Sequence, residues 1–181
     1  TYEKRVQALM APGRDVGGEP VHCLVRTMAE LKEVFLEFQE RLSRVARVNR
    51  PVLVIGERGT GKELAVSRLH YLSPRWQGPL VALNCAALSA TLIEAELFGH
   101  VKGAFTDARC DSRGLVGMSE GGTLFLDEIG SLSARGQAAI LRFVQDHSYR
   151  PLGAARFERG DVRVIAATNA DLQAGCRAGR F

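Results

Sequence analysis

The sequence predicts an α/β fold in which a parallel sheet lies between layers of helices. Short apolar runs alternate along the chain with longer segments whose apolar residues recur every three or four positions, which is the pattern of strands alternating with amphipathic helices. The first run, PVLVI, is β-branched and ends at a glycine, as expected of a strand that is covered on both faces. The runs occupy residues 51–55, 80–84, 123–127 and 162–168.

The composition is that of a globular protein with one domain. The 181 residues are 46% hydrophobic and 24% charged, with a formal net charge of +4, and one domain is usual for this length. Because the basic residues are scattered, the charge gives no independent reason to expect nucleic-acid binding. No run approaches the roughly 18 apolar residues of a membrane span, and the N-terminus lacks a signal-peptide pattern. We therefore expect a cytoplasmic protein with no membrane partner.

The cysteines support the same compartment. All four stand far apart in the sequence and none belongs to a CxxC pair, so the spacing predicts neither a zinc site nor a disulfide framework. They are Cys23, Cys85, Cys110 and Cys176.

Two segments precede the first strand. Residues 1–20 contain two prolines and three glycines, which indicates a tail or linker ahead of one domain at 21–181. Residues 25–48 carry an apolar stripe with helical spacing, which we expect to pack on the core. The same spacing fits a heptad seam, so a partner helix is the alternative. The stripe consists of Val25, Met28, Leu31, Phe35, Phe38, Leu42 and Val45.

A glycine-rich loop follows the first strand. Residues 56–63 read GERGTGKE, which matches GxxxxGK in the strand–loop–helix context that gives this pattern its meaning. Backbone N–H groups of such a loop point at phosphate oxygens, and the helix expected over 62–71 adds the positive end of its dipole. The Lys62 ammonium would neutralise charge on the β- and γ-phosphates of a nucleotide. The predicted nucleotide site consists of Gly56, Glu57, Arg58, Gly59, Thr60, Gly61, Lys62 and Glu63.

An acidic pair ends the third apolar run. Residues 124–128 read LFLDE, which places Asp127 and Glu128 at the carboxyl end of a strand, where open parallel sheets bind ligands. Asp127 would hold Mg²⁺ directly or through water, and Glu128 would polarise the water that attacks the γ-phosphate. An acidic pair after a strand is a weak signal by itself. The phosphate-binding glycine loop (P-loop) predicted at residues 56–63 makes it a strong one.

Two other runs also end in polar side chains. Asn84 ends the second run, and Thr168 and Asn169 end the fourth. These groups are candidates to sense the γ-phosphate or orient water, and Asn84 is a candidate hydrogen-bond partner of Glu128. For Asn169, the spacing fits equally well a capping role for the helix expected from Asp171.

Six segments together resemble the AAA+ domain of bacterial enhancer-binding proteins, the NtrC-like activators of sigma-54 RNA polymerase. The resemblance extends from about residue 35 to residue 181, with a P-loop lysine followed by glutamate as in that family, and is greatest with its phage-shock branch. The segments are GERGTGKE (56–63), LNCAAL (83–88), ELFGH (96–100), GAFTDA (103–108), GGTLFLDE (121–128) and AATNADL (166–172).

The resemblance implies a hexameric ring that hydrolyses ATP with Mg²⁺ and remodels the sigma-54 RNA polymerase holoenzyme. Asp127 and Glu128 would be the Walker B residues, and Asn84 the switch that restrains the catalytic glutamate. Thr168 and Asn169 would form sensor I. DNA would be bound only through a domain outside this sequence. The loop expected to contact sigma-54 consists of Gly103, Ala104, Phe105, Thr106, Asp107 and Ala108.

The sequence departs from the family pattern in two places within this range. Asp107 replaces the second glycine of GAFTGA, so we expect a backbone cost as well as a new charge at the tip of the loop. The alternative function is therefore a nucleotide-binding regulatory module that no longer activates sigma-54. Residues 28–32 also have helical spacing where relatives have a glycine-containing turn against the adenine, so the base contacts cannot be transferred.

The sequence begins at Thr1 and ends at Phe181, which suggests part of a longer domain. Compared with the family, we expect this stretch to lack the last core strand, the helical lid and the arginine fingers. The P-loop strand would then lie at an uncovered edge of the sheet. Turnover by this stretch alone is expected to be low.

Overall fold

The computed structural model describes the backbone of residues 28–87 and 90–179, and the side chains of residues 32–87 and 92–179. The chain divides into two compact units, residues 1–41 and 42–181. The predicted tail at 1–20 lies outside the described residues and stays a prediction. In chain order the elements are α1 (Met28–Ala46), β1 (Val52–Ile55), α2 (Lys62–Tyr71), β2 (Leu80–Asn84), α3 (Ala90–Phe98), α4 (Gly114–Met118), β3 (Thr123–Asp127), a 3-10 turn (Ile129–Ser131), α5 (Ala134–Asp146), β4 (Ser148–Tyr149), β5 (Glu158–Arg159), β6 (Arg163–Thr168) and α6 (Leu172–Arg177).

Four strands form the parallel sheet that the sequence predicts. Their order is β1-β6-β3-β2, and every neighbouring pair is parallel. Within this sheet β1, the strand that leads into the P-loop, is an edge strand, and its Leu53 and Ile55 side chains are exposed. Parallel neighbours require crossover connections, and here the helices provide them.

The helices cover both faces of the sheet. Successive residues of a strand point to opposite faces, so β3 contributes Leu124 and Leu126 to one core and Phe125 to the other. The first core joins these leucines to α3, α4 and α5. The second joins Phe125 to α2 and to the last turn of α1, from Leu42 onward. The expected sandwich is therefore confirmed.

The apolar stripe of α1 is mostly not core, which corrects the expectation from spacing. Leu42 is 8% exposed and packs in the core, whereas Phe35 is 54% exposed and Phe38 and Val45 are also exposed. The helix reaches the core of residues 42–181 through Leu42 and Ala46, which lie one turn apart on the same side. Val25 and the side chains of Met28 and Leu31 lie outside the description.

A buried arginine of the central strand β6 forms hydrogen bonds with the C-terminal end of α1 and the turn after it. Arg163 is 3% exposed, and its guanidinium donates to the carbonyls of Ala46, Val45 and Arg50 at 2.8, 3.0 and 3.3 Å. Positive charge is favourable at a helix C-terminus, where carbonyl groups lack backbone partners. These bonds satisfy a side chain that would otherwise be costly to bury.

A short antiparallel hairpin, which the sequence did not predict, joins α5 to β6. It is formed by β4 and β5. In the segment between these strands, Leu152 donates its N–H to the carbonyl of Gly99 at 2.9 Å and accepts from the N–H of Val101 at 3.0 Å. The hairpin is therefore attached to the base of the 103–108 loop.

Candidate active site

The glycine-rich loop turns through two left-handed glycines. Gly59 and Gly61 have φ values of 78° and 84°, a region that other residues rarely adopt. Gly56 is needed for a different reason, because a Cβ atom there would lie 2.9 Å from Oγ1 of Thr60. The sequence of the loop therefore follows from its tight backbone path.

Lys62 closes the loop from inside. Its Nζ donates to the carbonyls of Gly56 and Glu57, both at 3.0 Å, while Oγ1 of Thr60 donates to the same Glu57 carbonyl at 2.8 Å. Helix α2 begins directly after Gly61, and no side chain caps its first N–H groups. The loop thus brings a lysine ammonium and uncapped backbone donors together, the combination that binds phosphate.

The register of the sheet brings the other candidate residues to the same edge. Asn84 lies opposite Asp127 across β2 and β3, and Ile55 lies opposite Thr168 across β1 and β6. The N–H of Gly56 donates to the Thr168 carbonyl at 3.2 Å. All these positions are at the carboxyl ends of parallel strands, where open α/β sheets bind ligands.

Asp127 has an oxygen available for a ligand. Its Oδ1 is buried and has no hydrogen-bond partner among the residues that the structure describes, although buried carboxylate oxygens are normally paired. Carboxylate oxygen is also the ligand type that Mg²⁺ prefers. Asp127 therefore fits the metal-binding role that the sequence suggested.

Glu128 is held in a strained backbone conformation. Its φ and ψ are 51° and 47°, which is uncommon for a residue with a Cβ atom. Its Oε2 accepts a long hydrogen bond of 3.4 Å from the N–H of Asn169. The 3-10 turn that follows Glu128 packs closely against the end of β6, since a Cβ at Gly130 would lie 3.3 Å from Oγ1 of Thr168. Sequence patterns gave no sign of this conformation or of the role of Gly130.

The polar residues at the ends of β2 and β6 do not all have the expected contacts. Oδ1 of Asn84 accepts from the N–H of Ala86 at 2.9 Å, so this atom is engaged in a turn rather than with Glu128. Oγ1 of Thr168 accepts from the N–H of Ala170 at 3.0 Å. Helix α6 is capped by Asp171, so the capping role considered for Asn169 is wrong. The side chain of Asn169 is exposed.

Cys85 is a neighbour of Asp127 that the sequence analysis did not select. Its N–H donates to the Asp127 carbonyl at 2.9 Å. Burial, and secondarily the charge of Asp127, raises the pKa of the Cys85 thiol to about 12. The thiol is therefore a neutral part of the core and not a nucleophile. Among the described residues, Cys85, Cys110 and Cys176 are free thiols.

The 103–108 loop is a compact, exposed turn. Gly103 has a φ of 80° and donates its N–H to the Ala108 carbonyl at 2.8 Å, while the N–H of Ala108 donates to the Phe105 carbonyl at 3.0 Å. The Phe105 ring meets the His100 ring edge to face, with centroids 4.9 Å apart. Phe105 is still 40% exposed, so an apolar surface is available at the tip.

Asp107 does not have the backbone strain that we expected from its replacement of glycine. Among the described residues other than glycine, only Glu128 and His147 have positive φ. Asp107 instead accepts from the N–H of Arg109 at 2.9 Å through its carbonyl, in a turn that any residue can form. Its effect at the tip is therefore one of charge.

Comparison with known proteins places this geometry in a family. The sequence model of the family described as the sigma-54 interaction domain matches residues 28–181. The Psp operon transcriptional activator of Escherichia coli (strain K12) is 49% identical over 147 residues, which are 81% of this chain and 45% of the relative. The Nif-specific regulatory protein of Azotobacter vinelandii is 51% identical over 142 residues, 78% of this chain and 27% of the relative. The chain thus spans less than half the length of these curated relatives.

Solved structures of NtrX are similar to this chain in fold. NtrX from Brucella abortus in complex with ATP has a TM-score of 0.75 and 26% identity, covering 99% of this chain and 36% of that one. The same protein in complex with ADP has a TM-score of 0.74 and 28% identity, covering 99% and 35%. No helix in the described part of the chain is long and apolar enough to cross a membrane. The loop, the strand-end carboxylates and the match over most of its length show that this chain belongs to the sigma-54 interaction domain family, which has the P-loop AAA+ ATPase fold.

Proposed function

We propose that this domain binds and hydrolyses ATP and uses the energy to remodel the sigma-54 RNA polymerase holoenzyme as part of a transcriptional activator. The observation that carries the proposal is that the P-loop, Asp127 and Glu128 lie at the ends of strands of one parallel sheet, at the same edge. One of these residues has a buried, unpaired oxygen, and the other has a left-handed backbone. Unsatisfied and strained groups of this kind are typical of sites that act on a ligand.

Binding would begin at the P-loop. The N–H groups of residues 56–63 would surround the phosphates, and Lys62 would exchange its two loop carbonyls for phosphate oxygens. Because both partners of an ammonium–phosphate bond are charged, this bond is stronger than the contacts with neutral carbonyls that it replaces. Glu63 is exposed at the start of α2.

Hydrolysis would take place at the ends of β3 and β6. Asp127 would hold Mg²⁺, which when bound neutralises phosphate charge and orients the β- and γ-phosphates. Residues 28–87 and 90–179 contain no cluster of three or more candidate metal-binding side chains, so ATP and water would supply the remaining ligands. Glu128 would take the proton of the attacking water, and Thr168 and Asn169 would report the presence of the γ-phosphate.

Asn84 is the residue to which we assign the gating of this step, and in the structure its Oδ1 accepts from the N–H of Ala86. Asn84 lies opposite Asp127 in the sheet register, and Asp127 directly precedes Glu128 in the sequence. We propose that a rotation of the Asn84 side chain, which would release Ala86, brings its amide to the Glu128 carboxylate. Release of that contact would then permit attack of water in line with the γ-phosphate.

The remaining assignments concern the complete protein. We infer that it forms a hexameric ring, that the 103–108 loop contacts sigma-54, and that it acts in the cytoplasm. Contact with promoter DNA is assigned to regions of the protein beyond the sigma-54 interaction domain. The exposed Phe105 ring supports the loop as a protein-binding surface.

The proposal is tested by Glu128→Gln in a full-length protein that contains this domain. Loss of a general base is expected to lower ATP turnover by about 10²- to 10⁴-fold, while the Kd for ATP remains within about twofold, because this contact matters only in the transition state. Glu40→Gln, which makes the same change at an exposed position of α1, is the matched control. Turnover equal to that of the unmodified protein would refute the role of Glu128.

One observation favours a second candidate function. The exposed Asp107 places a negative charge at the tip of the proposed sigma-54 contact loop, so the domain would bind nucleotide but fail to activate the polymerase. We expect Asp107→Gly to increase open-complex formation by the full-length protein on a sigma-54 promoter about tenfold, since an unpaired charge opposite an apolar contact costs on the order of 1 to 2 kcal/mol. Equal open-complex formation by both proteins, at a level above background, would eliminate this second function.

A further inference from the structure

A cavity of about 490 Å³ lies between α3, α5 and the β4–β5 hairpin. This volume is within the range of small-molecule sites in proteins. None of the residues that line it belongs to the P-loop or to the ends of the parallel strands. The cavity is therefore a different site from the proposed ATPase site.

The cavity has an excess of positive charge. Three arginines and a single carboxylate line it: Arg135, Arg142, Arg150 and Glu94. Glu94 is buried and lies 3.0 Å from Nε of Arg135, so that pair is neutral. Neither Arg142 nor Arg150 takes part in an ion pair in the described chain. Two guanidinium groups thus remain without a salt-bridge partner among the described residues.

One aromatic ring holds these two guanidiniums. Arg142 and Arg150 lie over the ring of Phe157, at 5.3 and 5.4 Å from its centroid. The cation–π contacts orient both side chains before any ligand arrives. The two like charges also repel each other, although both side chains are exposed and water weakens this repulsion. An anion with two charged groups would remove this repulsion and form charge-assisted hydrogen bonds with both.

We propose that this cavity binds a compact polyanion, a small molecule that carries two or more phosphate or carboxylate groups. Arg142 and Arg150 are its primary contacts. Arg135 contributes less, because Glu94 already neutralises it.

The occupied cavity would also act on the 103–108 loop. Gly153 lines the cavity, and a Cβ atom on it would lie 2.9 Å from Cβ of Ala104 and 3.0 Å from Cγ2 of Val101. The adjacent Leu152 is hydrogen-bonded to Gly99 and Val101. Because no space separates the cavity wall from the loop base, a bound polyanion is expected to slow local opening of that base.

The experiment is calorimetric titration of the 181-residue chain with inorganic pyrophosphate and, separately, with citrate. Lys62→Ala is included in every protein so that the P-loop cannot supply the phosphate site. We expect saturable binding of at least one probe. Arg142→Ala combined with Arg150→Ala should weaken that binding by at least about tenfold, as expected on loss of charge-assisted hydrogen bonds. Preference for pyrophosphate identifies a phosphate ligand, and preference for citrate a carboxylate ligand.

Arg156→Ala is the matched control. Arg156 lies in the same hairpin segment and is exposed, but it does not line the cavity, so its loss should leave binding within about twofold if the site is local. Thermal unfolding of each variant confirms that it is folded, and amide exchange at 99–104 should slow when the bound probe is present. Absence of binding by both probes at millimolar concentration would overturn the proposal, and so would an equal loss in the Arg156 variant. The Lys62→Ala background makes this result independent of whether the domain binds ATP.

Discussion

The nucleotide edge of the sheet and the 103–108 loop are built in opposite ways. At the nucleotide edge, parallel strands hold side chains in place, and the groups to which we assign function are the Lys62 ammonium and the carboxylates of Asp127 and Glu128. The 103–108 loop extends from the domain, and its shape depends on turns and backbone hydrogen bonds. In the first region, function depends on particular chemical groups. In the second, it depends on the path of the main chain.

Two glycines form the base of the loop and show this dependence most clearly. Gly99 and Gly114 have φ values of 75° and 68°, and their backbones touch. A Cβ on Gly99 would lie 2.1 Å from the carbonyl oxygen of Ser112, and one on Gly114 would lie 2.2 Å from the N atom of Gly99. Such distances do not occur between real atoms, so only glycine fits at either position.

The largest effect is therefore expected from Gly99→Ala. The substitution combines a left-handed alanine, which costs roughly 1 to 2 kcal/mol, with displacement of a tightly packed backbone, which costs roughly 1 to 3 kcal/mol more. Urea unfolding should show a loss of about 2 to 5 kcal/mol in the free energy of unfolding, a range whose upper end is exceptional for one substitution.

Gly103→Ala is the control for this change. Gly103 has a similar φ of 80°, but no atom lies within 4 Å of the site of its Cβ, so only the conformational cost of about 1 to 2 kcal/mol remains. The difference between the two alanines measures the tight contact at the loop base. If both alanines lower the free energy of unfolding equally, the tight backbone contact at Gly99 adds nothing to the cost of its positive φ. The proposed difference between the base and the tip of the loop would then be wrong.

The next effect concerns the dependence of the nucleotide edge on charge. We expect Lys62→Ala to weaken ATP binding by about 10²-fold, because a charge-assisted hydrogen bond contributes about 1.5 to 3 kcal/mol. Lys102→Ala removes the same charge from an exposed position directly before the 103–108 loop and should leave the Kd within about twofold, since screening weakens distant surface charges. Fluorescence titration with a labelled ATP analogue measures both. A comparable loss in the two variants would mean that overall charge, and not the P-loop, determines affinity.

Much of the nucleotide edge could be predicted from sequence, because its signals are local. The glycine loop fixes the start of α2 at Lys62, and the strands that deliver Asn84 and Asp127 have the predicted bounds. Buried strands and the helices between them show their periodicity in a few residues. The placement of β6 between β1 and β3 has no such local signal, since it depends on pairing between distant segments.

The remaining features depend on tertiary context. The strands of the β4–β5 hairpin have only two residues each, too few for a periodic pattern to indicate them. The left-handed conformation of Glu128 is imposed by its surroundings and opposes the intrinsic preference of glutamate. Asp107 shows the reverse, because the family pattern suggested strain at a position where the backbone is ordinary. Sequence spacing also could not determine which turn of α1 meets the core.

The smallest effect concerns how β3 is held at the end opposite Asp127. His70 of α2 is buried, and its Nδ1 lies 3.0 Å from Oγ1 of Thr123 at the start of β3. Burial, and then the charge of Arg163, lowers the pKa of His70 below its ordinary value of 6.5, although a backbone hydrogen bond with Gly78 acts in the opposite direction. The nucleotide edge is thus connected through β3 to a histidine that folding keeps neutral.

The sign of the resulting pH dependence follows from the lowered pKa. Between the lowered pKa of the folded protein and pH 6.5, the unfolded chain binds a proton at His70 that the folded protein does not bind. The free energy of unfolding therefore decreases as the pH falls from about 6.5 to the folded pKa, and this contribution of His70 is fully present only above that range. We expect this decrease to appear in urea unfolding between pH 7 and pH 5. His70→Gln should remove this part of the slope.

His147→Asn is the matched control, because His147 is exposed and asparagine tolerates its left-handed backbone. This variant should retain the slope of the unmodified protein. Since acidic side chains titrate in all three proteins, the difference between the His70 variant and the other two isolates one buried group. If the slope is the same in all three, the amino end of β3 does not depend on neutral His70, and the rigidity of the nucleotide edge must come from the apolar core and strand pairing alone.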